Sequence, residues 1–485
     1  MRRTKIVCTI GPATSSEERL EQLMRAGMNV ARLNFSHGTQ AEHEQVVKRV
    51  RAISARLGCA VAILQDLQGP KIRTGTLQDG KPVTLVAGSP ITITTRDVAG
   101  NARIVSTTYK ALPQDVKTGD RILLDDGLLE LRVLGTSETD VQCEVVYGGE
   151  LGEHKGINLP SVAVSSPALT EKDRADLCFG VEQGVDYVAL SFVREPEDVR
   201  EAQQLIRQYI NEVYGEKDGR DIPLIVKIEK PEAVEHLDAI LAVTDGVMVA
   251  RGDLGVEMAA EKVPLIQKRI ISKCNGLGLP VITATQMLES MITNPRPTRA
   301  EVSDVSTAIL EGTDAVMLSA ETSIGAFPID AVRMMARIAL ETEANYHTVP
   351  HPIRQHRSLA QAVSHAARAL AEDTHVQDIV VFTRSGNSAR LISNDRPRVP
   401  ILAYTPSDHV YHQLALWWGV WPHHISMQGT TENLIALVEK RLLEDSLAQS
   451  GEYVVIMGGL PIASQARTNF VKLHRVGNQD ERGTR

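Results

Sequence analysis

Short apolar segments alternate with amphipathic helical segments in two parts of the chain, residues 1–70 and 171–345. The apolar segments are rich in valine and isoleucine, which is typical of parallel strands buried on both faces. Eight such strands are predicted, at residues 5–10, 28–33, 60–65, 187–190, 223–228, 246–250, 281–284 and 315–318. Eight strand–helix units over about 245 residues predict a TIM (β/α)8 barrel. The alternative, an open doubly wound sheet, would be unusually long. Ser15 and Glu18 have the spacing of a capping box and predict the start of the first helix.

Residues 71–170 follow a different pattern, in which short alternating segments, such as 82–86, 91–95, 103–108, 120–124 and 141–147, are interrupted by glycine and aspartate. This pattern is typical of antiparallel strands and predicts a small β-barrel domain, a lid, inserted after the third strand of the larger barrel. The alternation of helices and strands resumes in residues 346–485, which are expected to form a separate C-terminal α/β domain with strands near 379–383, 401–404, 453–457 and 470–475.

Composition and charge exclude several classes of protein. The 485 residues include 52 Lys and Arg against 60 Asp and Glu, and this acidic balance argues against nucleic-acid binding. No apolar run reaches the roughly 18–20 residues that span a bilayer, and the N-terminus has no signal-peptide pattern. The five cysteines are scattered, as expected of reduced thiols. We therefore expect a soluble cytoplasmic protein with neither a nucleic acid nor a membrane as partner.

Polar side chains stand where the predicted strands end, which is where TIM barrels carry their chemistry. They are Arg32, Asn34, Asp66, Ser191, Lys227, Glu229, Arg251, Asp253, Thr285 and Glu321. Charged residues also end strands in solvated loops, but that explanation does not account for a whole set of cations, carboxylates and hydroxyls at one end of a barrel.

Lys227 and Glu229 are two residues apart and therefore lie on one face of their strand. Glu229 and Asp253 are candidate ligands of a hard divalent cation such as Mg²⁺, with positions left for water and substrate oxygens. Lys227 is placed to stabilise charge on a phosphoryl group. The alternative is a buried Lys–Glu ion pair without metal.

Neither a P-loop nor a GxGxxG motif occurs, so a nucleotide would be held by side-chain cations and the metal. A histidine-rich segment follows in the C-terminal part, at His409, His412, His423 and His424. A metal site there is one interpretation, and a surface or interface cluster is the one we favour.

A turn rich in hydroxyls and glycine follows a predicted strand in the C-terminal domain. Its residues are Thr383, Arg384, Ser385, Gly386, Asn387 and Ser388. Backbone N–H groups at the start of the next helix, together with these hydroxyls, would form a phosphate cradle. An ordinary capped loop is the alternative.

Several long motifs make the chain resemble the pyruvate kinase family over nearly its full length. They are Lys5-Ile-Val-Cys-Thr-Ile-Gly-Pro-Ala-Thr14, Ala31-Arg-Leu-Asn-Phe-Ser-His-Gly38, Gly69-Pro-Lys-Ile-Arg-Thr-Gly75, Val226-Lys-Ile-Glu229, Met248-Val-Ala-Arg-Gly-Asp-Leu-Gly255 and Ala284-Thr-Gln-Met-Leu-Glu-Ser-Met291. The resemblance implies a TIM barrel with an inserted lid, a C-terminal regulatory domain and a homotetramer. It also implies phosphoryl transfer from phosphoenolpyruvate to ADP, giving ATP and pyruvate, the final step of glycolysis.

The resemblance further implies individual roles. The implied catalytic residues are Arg32, Lys227 and Thr285, the implied ligands of Mg²⁺ (or Mn²⁺) are Glu229 and Asp253, and the implied substrate contacts are Arg32, Ser191, Gly252, Asp253 and Thr285. Arg32 would bind the substrate phosphate, Lys227 would stabilise the transition state, and Thr285 lies in the family's proton-delivery region. The implied nucleotide contacts are Asn34, His37, Arg73 and, on the lid, Lys155. The 383–388 turn would bind a phosphorylated sugar or nucleotide effector.

The chain departs from the family at one point. Potassium-dependent members read Asp-Thr-Lys-Gly-Pro-Glu after the third strand, whereas here Leu67 replaces the threonine and Lys71 replaces the glutamate. We expect the Lys71 ammonium to substitute for K⁺ beside Asn34, Ser36 and Asp66, so that K⁺ is not required. The alternative is that Lys71 points into solvent.

Two other functions remain open at this point. Another enolate-handling TIM-barrel enzyme would explain Lys227, Glu229 and Asp253 but not the lid motif at Lys155. A pseudoenzyme that senses nucleotides or sugar phosphates would normally lack one of these residues or Thr285, and all are present.

Overall fold

The computed structural model describes residues 1–485 except Ser161, Ala163, Ser166, Lys217, Gln428 and the segments 346–357, 462–466 and 478–485. Its strands are β1 (Lys5–Ile10), β2 (Val30–Asn34), β3 (Ala62–Asp66), β4 (Val83–Leu85), β5 (Pro90–Thr94), β6 (Ile104–Ser106), β7 (Arg121–Leu124), β8 (Leu129–Thr136), β9 (Asp140–Tyr147), β10 (Gly149–Leu151), β11 (Ile157–Asn158), β12 (Tyr187–Leu190), β13 (Leu224–Ile228), β14 (Gly246–Ala250), β15 (Val281–Ala284), β16 (Ala315–Leu318), β17 (Ile379–Phe382), β18 (Ile401–Thr405), β19 (Val420–His424), β20 (Tyr453–Gly458) and β21 (Phe470–Arg475).

Its α-helices are α1 (Glu17–Ala26), α2 (Gln40–Leu57), α3 (Leu112–Asp115), α4 (Glu171–Glu182), α5 (Pro196–Tyr214), α6 (Pro231–Glu235), α7 (Leu237–Leu241), α8 (Arg251–Glu257), α9 (Val263–Leu277), α10 (Arg299–Glu311), α11 (Ala320–Ser323), α12 (Pro328–Asn345), α13 (Leu359–Asp373), α14 (Asn387–Asn394), α15 (Asp408–Gln413) and α16 (Thr431–Glu444). The cap of α1 is Ser16, whose side chain accepts from the amide of Arg19, so the predicted capping box at Ser15 is wrong by one residue.

Eight parallel strands close a barrel in the order β1-β2-β3-β12-β13-β14-β15-β16. The closing pair is β1 with β16, where Lys5 pairs with Ala315. The TIM-barrel prediction is confirmed and the open doubly wound sheet is excluded, because each of the eight strands has two neighbours, whereas an open sheet would have two edge strands with one neighbour each. Strands β1, β12, β14, β15 and β16 have the predicted bounds.

Apolar side chains fill both the inside of the barrel and the layer between the strands and the surrounding helices. Inside lie residues such as Val7, Tyr187 and Ile225, and alternate residues such as Cys8 and Val226 pack outwards against the helices. The interior is therefore a packed core, and only the strand ends are free to carry polar chemistry.

The inserted lid has its own apolar core and its own sheets. Six strands pair in the order β11-β7-β8-β9-β5-β6, and β10 pairs with β4. Strand β8, which sequence reasoning missed, is the centre of the antiparallel pairing. The insertion leaves the barrel after β3 and returns before β12, so the lid stands at the carboxyl end of the strands.

The C-terminal domain is a five-stranded sheet in the order β19-β18-β17-β20-β21, in which only β21 is antiparallel. It packs against the opposite, amino-terminal end of the barrel, where Nζ of Lys5 donates to the main-chain oxygen of Val420 at 2.5 Å. The predicted start of this domain at 346 falls in a segment outside the described residues. None of the described helices is long and apolar enough to cross a membrane.

Candidate active site

The polar residues predicted from the strand ends meet at the carboxyl end of the barrel around the ammonium group of Lys227. Nζ of Lys227 lies 2.6 Å from Oε1 of Glu229 and 3.6 Å from Oδ1 of Asp66. It also donates to Oγ of Ser191 at 2.9 Å. Three neighbouring strands, β3, β12 and β13, thus supply the partners of one buried cation.

The pKa values in this group follow from burial and from these contacts. Burial would lower the pKa of Lys227, but the negative charges of Asp66, Glu229 and Asp253 outweigh it and raise that pKa. Burial would raise the pKa of Asp66, but the charges of Lys227 and Arg32 lower it. The pKa of Glu229 is raised by burial, against the opposing charge of Lys227. Lys227 is therefore a permanent positive charge at the barrel mouth.

Arg32 lies beside this group at the end of β2. Its Nε donates to Oδ2 of Asp66 at 2.6 Å, and its Nη1 donates to Oγ1 of Thr9 at 2.9 Å. The ion pair fixes the guanidinium with a buried carboxylate, since the side chain of Asp66 is only 1% exposed. Arg32 and Lys227 share Asp66, so two cations face the same space over one carboxylate.

Helix α8 begins directly after β14 and brings Gly252 and Asp253 to the same end of the barrel. The amide of Gly252 donates to Oγ1 of Thr285 at 2.7 Å. A Cβ atom at position 252 would lie 3.4 Å from that oxygen, which is an ordinary van der Waals contact. The hydroxyl of Thr285 in turn donates to the main-chain oxygen of Ala284 at 2.6 Å.

The donor set fits a divalent cation that keeps several waters. Glu229 is buried, and its Oε1, although paired with Lys227, has no partner of normal hydrogen-bond geometry among the described residues. The negative charge of Asp253 also raises the pKa of Glu229, which indicates that the two carboxylates are near each other. A cation between them would offset both effects, and Mg²⁺ commonly takes only one or two protein carboxylates. The described residues contain no cluster of three or more His, Cys, Asp or Glu suited to a metal.

A cleft of about 310 Å³ separates the lid from the barrel. Its lining includes Lys71, Arg73, Lys155 and Asp253. Nζ of Lys155 is paired with Oδ1 of Asp125 at 2.9 Å, and Nη1 of Arg73 donates to the main-chain oxygen of His154 at 3.0 Å. Cations from the lid and from the barrel thus face each other across the cleft.

The predicted nucleotide contacts do not all line this cleft. Asn34 and His37 line a second cavity, of about 690 Å³, which they share with Arg32. Burial and the positive charges of Lys71 and Arg73 lower the pKa of His37. The charges that act on His37 come from the lid cleft, so the two cavities lie within electrostatic range of each other.

Lys71 lies within electrostatic range of the charged group. Burial and the charge of Lys227 lower the pKa of Lys71, whereas Asp253 and Asp66 raise it. Leu67, which stands where potassium-dependent members have threonine, is buried and has no side-chain oxygen that could bind a monovalent cation. Oδ1 of Asn34 accepts from the amide of Ser36 at 3.1 Å.

Other strand-end residues have local structural partners. Glu321, which lies in α11 just after β16, accepts from the amides of Ser319 and Leu288, so it holds loops together. Arg251 contacts the main chain at Thr285 and forms an ion pair with Asp304. Of the histidine segment, His409 contacts the main-chain oxygen of Asp221 at 2.5 Å, which links the C-terminal domain to the barrel.

Sequence reasoning missed three residues around the cleft, which are Asn158, Lys230 and Glu257. Lys230 directly follows Glu229, and that adjacency was an available signal. Asn158 and Glu257 belong to the lid and to α8, and only the fold brings their side chains to 2.9 Å.

The 383–388 turn lies between β17 and α14 and borders a cavity of about 810 Å³. The lining includes Thr383, Arg384, Ser385 and, from elsewhere in the chain, Arg467. Gly386 has a φ of 81°, which favours glycine at the start of α14. Nη2 of Arg384 donates to the main-chain oxygen of Met427 at 3.1 Å. The turn thus borders a large cavity whose lining also carries three aspartates, Asp218, Asp221 and Asp408.

Comparisons with known proteins agree over the whole chain. Residues 1–332 match the family model described as the pyruvate kinase barrel domain, and residues 361–474 match the pyruvate kinase alpha/beta domain. The pyruvate kinase of Mycobacterium intracellulare is 47% identical, with 99% of each chain covered. That of Staphylococcus saprophyticus is 46% identical over 100% of this chain and 82% of its own length. A crystal structure of a pyruvate kinase from Cryptosporidium parvum aligns with a TM-score of 0.88 at 40% identity, covering 98% of this chain and 96% of that one.

Proposed function

Since the chain belongs to the pyruvate kinase family of phosphotransferases, we propose that its barrel mouth transfers the phosphoryl group of phosphoenolpyruvate to ADP. The products are ATP and the enolate of pyruvate, which then gains a proton at carbon. The observation that carries the assignment is the buried Lys227 beside Glu229, Asp66 and Ser191, beneath a cleft lined by further cations.

Phosphoryl transfer depends on positioning and on the stabilisation of charge on the transferred group. Lys227 supplies a fixed positive charge at that group, since its carboxylate neighbours keep it protonated. Arg32, held by Asp66, binds the phosphate of the substrate. Both cations are anchored before substrate arrives, so little reorganisation is needed during transfer.

Glu229 and Asp253 would hold Mg²⁺, or Mn²⁺ in its place. When bound, the ion supplies positive charge to the phosphate and carboxylate oxygens of the substrate. The amide of Gly252 and the hydroxyl of Thr285 orient the substrate carboxylate. The Thr285 hydroxyl, acting with water, delivers the proton to the enolate.

The lid excludes water and places positively charged side chains beside the nucleotide phosphates. Arg73 and Lys155 contact the ADP phosphates across the cleft, and Asn34 and His37 hold the nucleotide on the barrel side. Lys71 provides the charge that K⁺ supplies in other members, and this role is supported by the negative charges of Asp253 and Asp66, which raise its pKa against burial and the charge of Lys227.

The cavity at the 383–388 turn binds a phosphorylated sugar or nucleotide that regulates the enzyme. The support is the arginine-lined cavity at the start of α14, since N–H groups at a helix start and arginines both bind phosphate. The domains proposed are the barrel at 1–70 and 171–345, the lid at 71–170 and the regulatory domain at 346–485. A cytoplasmic homotetramer is proposed from the family alone.

One assay tests the reaction. Purified chain is mixed with phosphoenolpyruvate, ADP and Mg²⁺, and pyruvate is measured with and without K⁺. Rapid formation of pyruvate is expected. No turnover in either buffer, even with candidate sugar phosphates added, would overturn the proposal and favour a sensor of nucleotides or sugar phosphates.

A further inference from the structure

One carboxylate connects the lid to the helix that carries Gly252 and Asp253. Glu257 is the last residue of α8, and its Oε1 accepts a hydrogen bond of 2.9 Å from Nδ2 of Asn158 on the lid strand β11. We propose that Glu257 is a positioning residue that latches the lid over the cleft and aligns α8 beneath it; this inference rests on the proposed function.

The same oxygen also binds the barrel side of the cleft. Nζ of Lys230 lies 2.6 Å from Oε1 of Glu257, and both side chains are largely buried. Lys230 directly follows Glu229, and its ammonium stands 5.8 Å from the centre of the Phe192 ring. Glu257 therefore joins three parts of the site, which are the lid, α8 and the segment that follows β13.

A second contact between lid and helix lies one residue away. The turn between β7 and β8 reaches α8 at Gly127, where a Cβ atom would stand 3.6 Å from Cγ1 of Val256. Strand β11 pairs with β7, so Asn158 and this turn belong to one sheet. The lid thus meets the last turn of α8 at two points, and movement of its sheet would change both.

Burial of the charged Glu257 side chain costs free energy, and a structural role alone does not account for that cost. Its Oε2 is buried and accepts no hydrogen bond from any residue that the structure describes. Buried ion pairs often contribute no net stability compared with apolar side chains of similar size. The Lys230 pair lies within the barrel domain, whereas the Asn158 hydrogen bond is lost whenever β11 leaves α8, so the carboxylate has its full set of partners only when the lid is closed.

Helix α8 transmits the contact to the reacting groups. It is seven residues long, with Asp253 in its first turn and Glu257 at its end. A helix of this length is a short rigid element, so fixing its last residue also fixes the direction of its first turn. Closure of the lid would then bring Lys155 into the cleft and orient Asp253 in the same movement.

The test exchanges the two partners of the hydrogen bond. Asn158→Asp places a second carboxylate against Glu257, and repulsion is expected to lower kcat and to raise KM for ADP at least about tenfold, with a smaller effect on KM for phosphoenolpyruvate. In the double variant Asn158→Asp/Glu257→Gln, the new glutamine amide donates to the new aspartate, which stays within reach of Lys230. Most of the lost activity should return.

Asn101→Asp is the matched control, because Asn101 is the other asparagine of the lid. Among the described residues, its side-chain oxygen accepts a hydrogen bond only from the amide of Arg103, within its own loop. Its kinetics should match those of the unsubstituted chain. Hydrogen–deuterium exchange of the peptides around 155–159 and 253–257 provides a direct measure of closure. Addition of ADP and Mg²⁺ should protect both peptides in the unsubstituted chain and in the double variant, and neither in Asn158→Asp.

The latch is refuted if Asn158→Asp keeps the kinetics and protection of the control, or if the double variant is no better than the single one. A failure of the proposed function looks different, because the unsubstituted chain would then form no pyruvate at all. The exchange measurement would still show in that case whether the two peptides are protected together.

Discussion

Nη2 of Arg251 donates a hydrogen bond of 2.7 Å to the main-chain oxygen of Thr285, a residue whose φ is 66°. Positive φ is strained for a β-branched residue. Nε of Arg251 also donates to the preceding main-chain oxygen, at Ala284, and Nη1 is paired with Asp304. The guanidinium therefore holds the backbone that presents the Thr285 hydroxyl to the amide of Gly252.

Replacing Arg251 with lysine should reduce kcat between about tenfold and a hundredfold. The lysine ammonium cannot bind both main-chain oxygens and Asp304, so Thr285 would be displaced. Small displacements of reacting groups have effects of this size. Steady-state kinetics with both substrates measure it. Asp304→Asn leaves the main-chain contacts in place and should have a smaller effect. Equal kcat in Arg251→Lys and the unsubstituted chain would contradict this role.

Lys227→Met should remove most phosphoryl transfer, with a loss in kcat of about 10²–10³ that is typical of a preorganised charge. We expect the variant to fold, because Asp66 keeps its ion pair with Arg32 and the raised pKa of Glu229 makes it the easier carboxyl to neutralise. Circular dichroism checks the fold, and Lys268→Met, at an exposed position of α9, is the control. Near-native turnover by Lys227→Met would contradict the role assigned to Lys227.

Lys71→Glu should create a requirement for K⁺. The unsubstituted chain is expected to turn over equally with and without K⁺, because Lys71 already provides a positive charge near Asp66. The variant should be slow in K⁺-free buffer and recover in part when K⁺ is added, although Leu67 still provides no ligand. Strong K⁺ activation of the unsubstituted chain would show that the ammonium does not replace the ion.

Thr383→Glu should abolish activation by phosphorylated sugars or nucleotides while basal activity stays, since the new carboxylate repels phosphate from the turn. Thr374→Glu is the control, because Thr374 is an exposed residue at the end of α13 in the same domain. Activation curves with candidate effectors measure both variants. If Thr383→Glu is activated as fully as the control, the effector binds elsewhere.

Asp378 should make stability depend on pH. Burial, with the negative charge of Glu452, raises the pKa of Asp378 from 3.8 to about 6. The folded chain therefore holds an extra proton between these values, so stability falls as pH rises from about 4 to 6 and the loss is complete above that window. Relative to the unsubstituted chain, Asp378→Asn should gain in Tm across this window and then stay level. A constant Tm difference from pH 4 to 7 would contradict the shift.

The prediction from strand ends found much of the site because the barrel brings together residues at the carboxyl ends of its apolar strands, such as Lys227, which follows three buried residues in β13. Strands β8 and β19 were missed for local reasons. The first contains Gly135 and three exposed positions, and the second contains Pro422 and two histidines. The pairing of Asn158 with Glu257 could not be predicted, since it depends on how two domains meet.

Closure of the barrel by β1 and β16 also sets an order of events during synthesis. While the chain leaves the ribosome, β1 has no partner on one side until residues 315–318 have emerged. Every strand of the lid pairs only with other lid strands, so the lid is complete once β11 has been made. The first strand to be synthesised is thus among the last to be fully paired. Until then the nascent sheet exposes two open edges, which are sites of aggregation. The period of exposure during synthesis therefore follows from the connectivity of the barrel more than from its composition.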